Sequence, residues 1–200
     1  MNRFKKYIVQ PTANRLARFF RKEDGIVSIE AVMIFPLLFW SIWASYTFFD
    51  GYRQSARNLK AAYAVADILS REKNLVTANY ISNMYDLQKF MVADRSTVSM
   101  RISFVRFNAG ENEADGGSYE KLWSCVRGDS FDELDNQTLN EEFKGRIPVM
   151  ADRATMILVE TKDWYTRPFR IGYGDHSFAI DKFIFTQPRG YTQIVAADDC

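Results

Sequence analysis

The chain has 200 residues, with 26 Lys and Arg, 25 Asp and Glu, and a formal net charge of +1 at pH 7. That length suits one domain, or a membrane anchor followed by a domain of about 150 residues. A balance so near zero excludes a general nucleic-acid binder, which needs a surplus of Lys and Arg against phosphate.

In chain order, residues 1–22 come first and hold seven basic side chains and no acid. Glu23, Asp24 and Gly25 follow. From Ile26 to Phe49 there are 24 residues, and Glu30 is the only charged one. About 20 apolar residues cross a bilayer core, so this stretch is long enough to span it. Trp40, Trp43, Tyr46 and Phe48 crowd its second half, the composition of a lipid–water boundary. A helix on a soluble domain would show a polar face every 3.6 residues, and none is present. The basic leader is expected to stay cytoplasmic, sending the C-terminal 150 or so residues to the other side of the membrane. A secretory signal would have an apolar run of about 7–15 residues ending in small residues, which this run does not.

Two residues break the apolar pattern. Glu30 lies about one helical turn from the cytoplasmic boundary, where a carboxylate costs less than at mid-bilayer. It can pair with a positive charge or snorkel to the headgroups. Pro36 lacks an N–H, and its ring collides with the Val32 carbonyl. In water that costs about 3 kcal/mol, whereas in a membrane neighbouring groups re-satisfy the carbonyl. The expectation is a helix kink at Pro36, either passive or a weak point that eases extraction from the bilayer.

The segment "GIVSIEAVMIFPLLFW" carries a resemblance. A basic leader, Gly25, four mostly apolar residues, Glu30 and a long apolar helix resemble a type IV pilin-like precursor. Pro36 before a Leu-rich part makes the segment similar to the TadE-like pseudopilins of tight-adherence (Flp) pilus systems. The likeness covers residues 18–71; the rest of the chain matches no motif. It implies cleavage by a prepilin peptidase between Gly25 and Ile26, with Glu30 as the fifth mature residue. Glu30 would then pair with the new α-amino group of Ile26, in its own chain or a neighbour. The implied protein is a minor pseudopilin of the inner (cytoplasmic) membrane, working with other pseudopilins and pilus assembly proteins. Many type IV pilins start with Phe, whereas this chain would start with Ile26, a departure that bears on N-terminal methylation.

Beyond Asp50 and Gly51, apolar residues at Tyr52, Ala56, Leu59, Tyr63, Ala66 and Leu69 keep helical spacing. They predict one helix over about 26–72, with Gly51 as a flexible join and this stripe packed on its own domain. A second helix is expected over 79–92. In "VSMRISFVRF", Val98, Met100, Ile102 and Phe104 alternate with Ser99, Arg101 and Ser103, the pattern of a half-buried strand. Asn108 to Ser118 reads as a hairpin loop, "YEKLWSCV" as the returning strand, and 131–144 as weakly helical. "ATMILVETKDWY" and "FAIDKFIFTQP" supply two further strands. The expected fold is α+β: a leader (1–25), a transmembrane helix (26–49) and an extracytoplasmic domain (50–200) with about four antiparallel strands.

Cys125 and Cys200 are the only cysteines, and in an exported domain an even count invites a disulfide. Closing that loop stabilises by about 4–5 kcal/mol in the chain-entropy model; two free thiols are the alternative. No catalytic constellation is legible, so the chain is not read as an enzyme. His176 is the only histidine, and in an extended chain its neighbours Asp175 and Ser177 point to the face opposite its own. One His and two distant Cys do not make a zinc site, and neither a phosphate loop nor an EF-hand order is present. No metal or cofactor is expected. The rival reading is a single-pass membrane protein with an uncleaved anchor and a periplasmic domain that binds a partner or ligand.

Overall fold

The structure, a computed structural model, describes residues 26–93, 96–110, 117–143, 145–148, 150–169, 176–190 and 193–197. Two helices, α1 (Ile26–Ser70) and α2 (Ala78–Val92), precede strands β1 (Ser96–Asn108) and β2 (Ser118–Arg127). A short turn of helix, α3 (Asn136–Thr138), runs into a π-helical turn at Leu139–Phe143, followed by β3 (Thr155–Thr166) and β4 (Ser177–Thr186). The four strands form one antiparallel sheet in the order β2-β1-β3-β4. The class is therefore α+β with a long apolar N-terminal helix. The chain divides after Phe48 into two units.

In the first unit α1 runs through Pro36 without interruption. Thr47 turns its hydroxyl back to the Trp43 carbonyl at 3.0 Å, which keeps a polar group satisfied within an apolar stretch. In the second unit α1 continues through Gly51 as regular helix. A Cβ there would meet the Phe178 ring at 3.5 Å, so glycine lets the helix approach the sheet closely.

One face of the sheet packs on α1 and α2. Ala62, Val65, Ala66 and Leu69 of α1 and Ile81 of α2 bury against Met100, Ile102, Phe104, Ile157, Val159 and Ile184. This corrects the expected stripe. Tyr52 and Tyr63 are 75% and 56% exposed, and only Ala66 and Leu69 of that set reach the core. The buried face is Gln54, Asn58, Ala61, Ala62, Val65 and Leu69. It lies two positions along, or about 200° around the helix. Two adjacent alanines let the helix axis come close to the sheet, and tyrosines on that face would hold it away.

The other face is also covered, so β1 is not a half-buried strand. Val105, Phe107, Tyr119, Met156 and Leu158 form a second core with Leu134, Leu139, Phe143 and Ile147 from the connection between β2 and β3. Of the polar residues expected to face water, all three are buried: Arg101 and Ser103 have partners, whereas the Ser99 hydroxyl has none among the described residues. The Arg101 Nε donates to Glu160 at 2.6 Å, and the Ser103 and Ser124 hydroxyls share a hydrogen bond at 2.9 Å. The register slips between Phe104 and Val105, where Leu122 is the extra residue of a β-bulge in β2. Gly128 ends β2 at φ +88°, where a Cβ would come within 2.9 Å of the Ser99 backbone.

Side chains occupy backbone groups on the outer strands. The Tyr119 and Lys121 N–H groups of β2 donate to the Asn140 and Asn136 side chains at 2.8 and 2.7 Å. Asn58 donates to the Ile180 carbonyl of β4 at 3.1 Å. Both edges are thereby blunted against strand addition at these points. The C-terminal segment is stitched in by a parallel bridge between Val76 and Ala196 and by Trp123 Nε1 donating to the Ile194 carbonyl at 2.8 Å. Cys125 is buried in the same core as Val76 and Ile194, and no described cysteine is free. Cys200, its expected partner, lies outside the described residues, as do parts of both hairpin connections.

Candidate functional site

The segment singled out by sequence begins at the N-terminus of α1. Gly25 lies outside the described residues; Ile26 is the first residue of the helix. Glu30 follows four positions later, one turn on and on the same helix face. Its side chain is exposed. The large apolar side chains from Val27 to Phe49 are between 44% and 76% exposed. So much exposed apolar surface on one helix is the kind that marks a membrane or protein interaction site. Helix α1 is long and apolar enough to cross a membrane. Pro36 sits ten residues into it, and the carbonyl it leaves without an intrahelical donor is that of Val32.

The second unit holds the start of its share of α1 through a polar network that sequence reasoning did not find. The Tyr165 hydroxyl donates to Asp50. One turn on, Gln54 Nε2 donates to Asp163 at 3.0 Å and lies 3.2 Å from both the Val92 carbonyl and the Ser96 hydroxyl. Another turn on, the Asn58 carbonyl accepts from Gln88 of α2 at 2.8 Å and from Thr161 of β3 at 2.9 Å. These bonds tie α1 to α2, β1, β3 and β4 where hydrophobic packing on the helix has not yet begun. Buried amides of this kind fix register, because a slip would leave each unsatisfied. The signal was available: Gln54 and Asn58 are four apart and in phase with Ala61, Ala62, Val65 and Leu69.

Asp163 is fully buried, and among the described residues its Oδ1 has no hydrogen-bond partner. Burial pushes its carboxyl above the usual range, against the lowering effect of hydrogen bonds from Ser96 and Gln54. A raised folded pKa means the native state holds the proton more tightly. Stability contributed by Asp163 is therefore greatest below its unfolded value of 3.8 and is lost as pH rises through the folded value. Asp163→Asn should accordingly stabilise the chain at pH 7 by on the order of 1 kcal/mol. In urea unfolding across pH, the gain should shrink to nothing toward pH 4; a pH-independent difference would refute this account.

His176 is exposed and accepts the Arg167 N–H through its backbone carbonyl at 3.0 Å, while Asp175 lies outside the described residues. Among the described residues no group of three or more His, Cys, Asp or Glu is placed to hold a metal. A cavity of about 450 Å³ lies between the bulged stretch of β2 and the C-terminal segment, lined by Phe104, Arg106, Lys121 and Trp123 among others. No family model matches the chain, and neither a curated protein nor a solved structure is found similar to it.

Proposed function

We propose that the chain is a minor pseudopilin of a tight-adherence (Flp) pilus system, a structural subunit and not an enzyme. A prepilin peptidase cuts after Gly25, the α1 helix from Ile26 anchors the protein in the cytoplasmic membrane, and residues 50–200 are exported. The observation that carries this reading is the first half of α1: an uncovered apolar helix with one carboxylate, Glu30, a turn from Ile26. The exposed stripe of Tyr52, Leu59 and Tyr63 supports it, since it leaves a helix face uncovered in the second unit as well. The bulk of the exported domain favours an initiating or accessory role over that of the main fibre subunit.

Co-expression with a prepilin peptidase followed by N-terminal sequencing tests the reading. The parent should begin at Ile26, and Gly25→Leu should begin at Met1. A parent still beginning at Met1 would instead favour an uncleaved single-pass membrane protein whose exported domain binds a partner or ligand. On the exported side Cys125 and Cys200 form a disulfide that pins the C-terminal segment beside Val76 and Ile194. Non-reducing mass spectrometry of the exported protein should recover the Cys125–Cys200 peptide pair; a free Cys200 thiol would remove it.

A further inference from the structure

The second unit has one end that gathers exposed aromatic side chains. Register places Ser96 of β1, Tyr165 of β3 and Phe178 of β4 side by side at that end of the sheet. The bonds from Gln54 to the Val92 carbonyl and from Gln88 to Asn58 show that α2 runs antiparallel to α1 and finishes at the same end. The Arg167 N–H closes the start of the β3–β4 connection onto the His176 carbonyl there. Phe90 in the last turn of α2 is 85% exposed, Tyr52 75%, Phe169 42% and Phe178 41%. Phe90 is out of phase with Ile81, Gln88 and Val92, the residues α2 buries, so it is not a core residue displaced by chance. Among charged groups at this end, Arg53 and Lys89 are exposed, while Asp50 is engaged by Tyr165 and Asp86 lies beside Lys89.

We propose that this end is a lipid-docking surface, with Phe90, Phe169, Phe178 and Tyr52 entering the headgroup layer and Arg53 and Lys89 meeting lipid phosphates. The inference rests on the reading that α1 spans the membrane up to about residue 49. Chain continuity then selects lipid as the occupant. Tyr52 follows Phe49 by three residues, a rise of about 5 Å along a helix, so a bilayer left at residue 49 is within reach of this end whatever other partners are present. Aromatic rings with nearby cations are the composition that partitions into the interfacial layer. Docking would hold the exported domain against the membrane until the subunit is extracted.

The full-length protein in phosphatidylcholine vesicles containing phosphatidylglycerol provides the test. p-Azidophenylalanine, close to Phe in shape, replaces Phe178, Phe90, Phe185 or Met33 one at a time, and phospholipid photo-adducts are read by mass spectrometry. Phe185, 44% exposed near the opposite end of β4, is the control for exposure alone. Adducts at positions 178 and 90 should exceed those at 185 severalfold. Adducts at 33 with none above the position-185 level at 178 and 90 overturn the docking surface alone. No adduct at 33 overturns the membrane span and the docking together.

Discussion

Replacing Arg101 with Met is expected to cost about 3–5 kcal/mol of stability, because it leaves the Glu160 carboxylate buried without its partner. The two residues face each other directly across β1 and β3, at 9% and 7% exposure, with Nε and Oε2 2.6 Å apart. The guanidinium also donates to the Asp132 carbonyl at 2.8 Å and lies 5.2 Å from the centre of the Phe131 ring. Its surroundings are thus completed by the connection between β2 and β3. Replacing both partners, Arg101→Met with Glu160→Leu, should recover most of the loss, since an apolar pair needs no compensation in that core. Urea unfolding of the two variants against the parent reads the effect. A single substitution costing less than about 1 kcal/mol would mean that water reaches Glu160, as it does in exposed ion pairs.

On the proposed pseudopilin reading, Glu30→Ala is expected to leave cleavage after Gly25 intact and to abolish pilus assembly. The carboxylate stands one turn from Ile26, and among residues 26–49 it is the only charge that can meet the new α-amino group. In a low-dielectric setting an amine without that partner is costly to bury, so docking of one subunit against the next should fail. Glu30→Gln separates charge from hydrogen bonding: if charge pairing sets the register, the Gln variant fails as the Ala variant does. Pili are counted by electron microscopy in a host lacking its own copy, and N-terminal sequencing confirms processing. Normal pili from the Glu30→Ala chain would leave Glu30 without a pairing role.

Element identity was legible from periodicity because each element carries its own period. The expected helix over 26–72 is α1 at Ile26–Ser70, the one over 79–92 is α2 at Ala78–Val92, and four antiparallel strands follow. The direction of the helix face was not legible. Tyr52, Ala56, Leu59 and Tyr63 keep the same spacing as Gln54, Asn58, Ala61 and Val65, and spacing alone does not say which set meets the sheet. Hydrophobicity favoured the tyrosines; steric fit and buried amide partners favoured the other set. The alternation in β1 misled for a related reason. It reads as one wet face only if nothing covers the second, and the 129–148 connection, weakly patterned in sequence, covers it.

The sequence by itself determined the apolar span, the lone carboxylate at Glu30, the proline at position 36 and the alternation of helix and strand. All of these are written in residues close together along the chain. Only the tertiary structure decided that Gln54 and Asn58 brace α1, that Arg101 meets Glu160, and that Phe90, Phe169 and Phe178 share one end with Tyr52. Those depend on pairings between residues from about 30 to more than 100 positions apart. Local patterning carries no record of such partners, because burial of a polar group becomes favourable only once a distant group arrives to satisfy it.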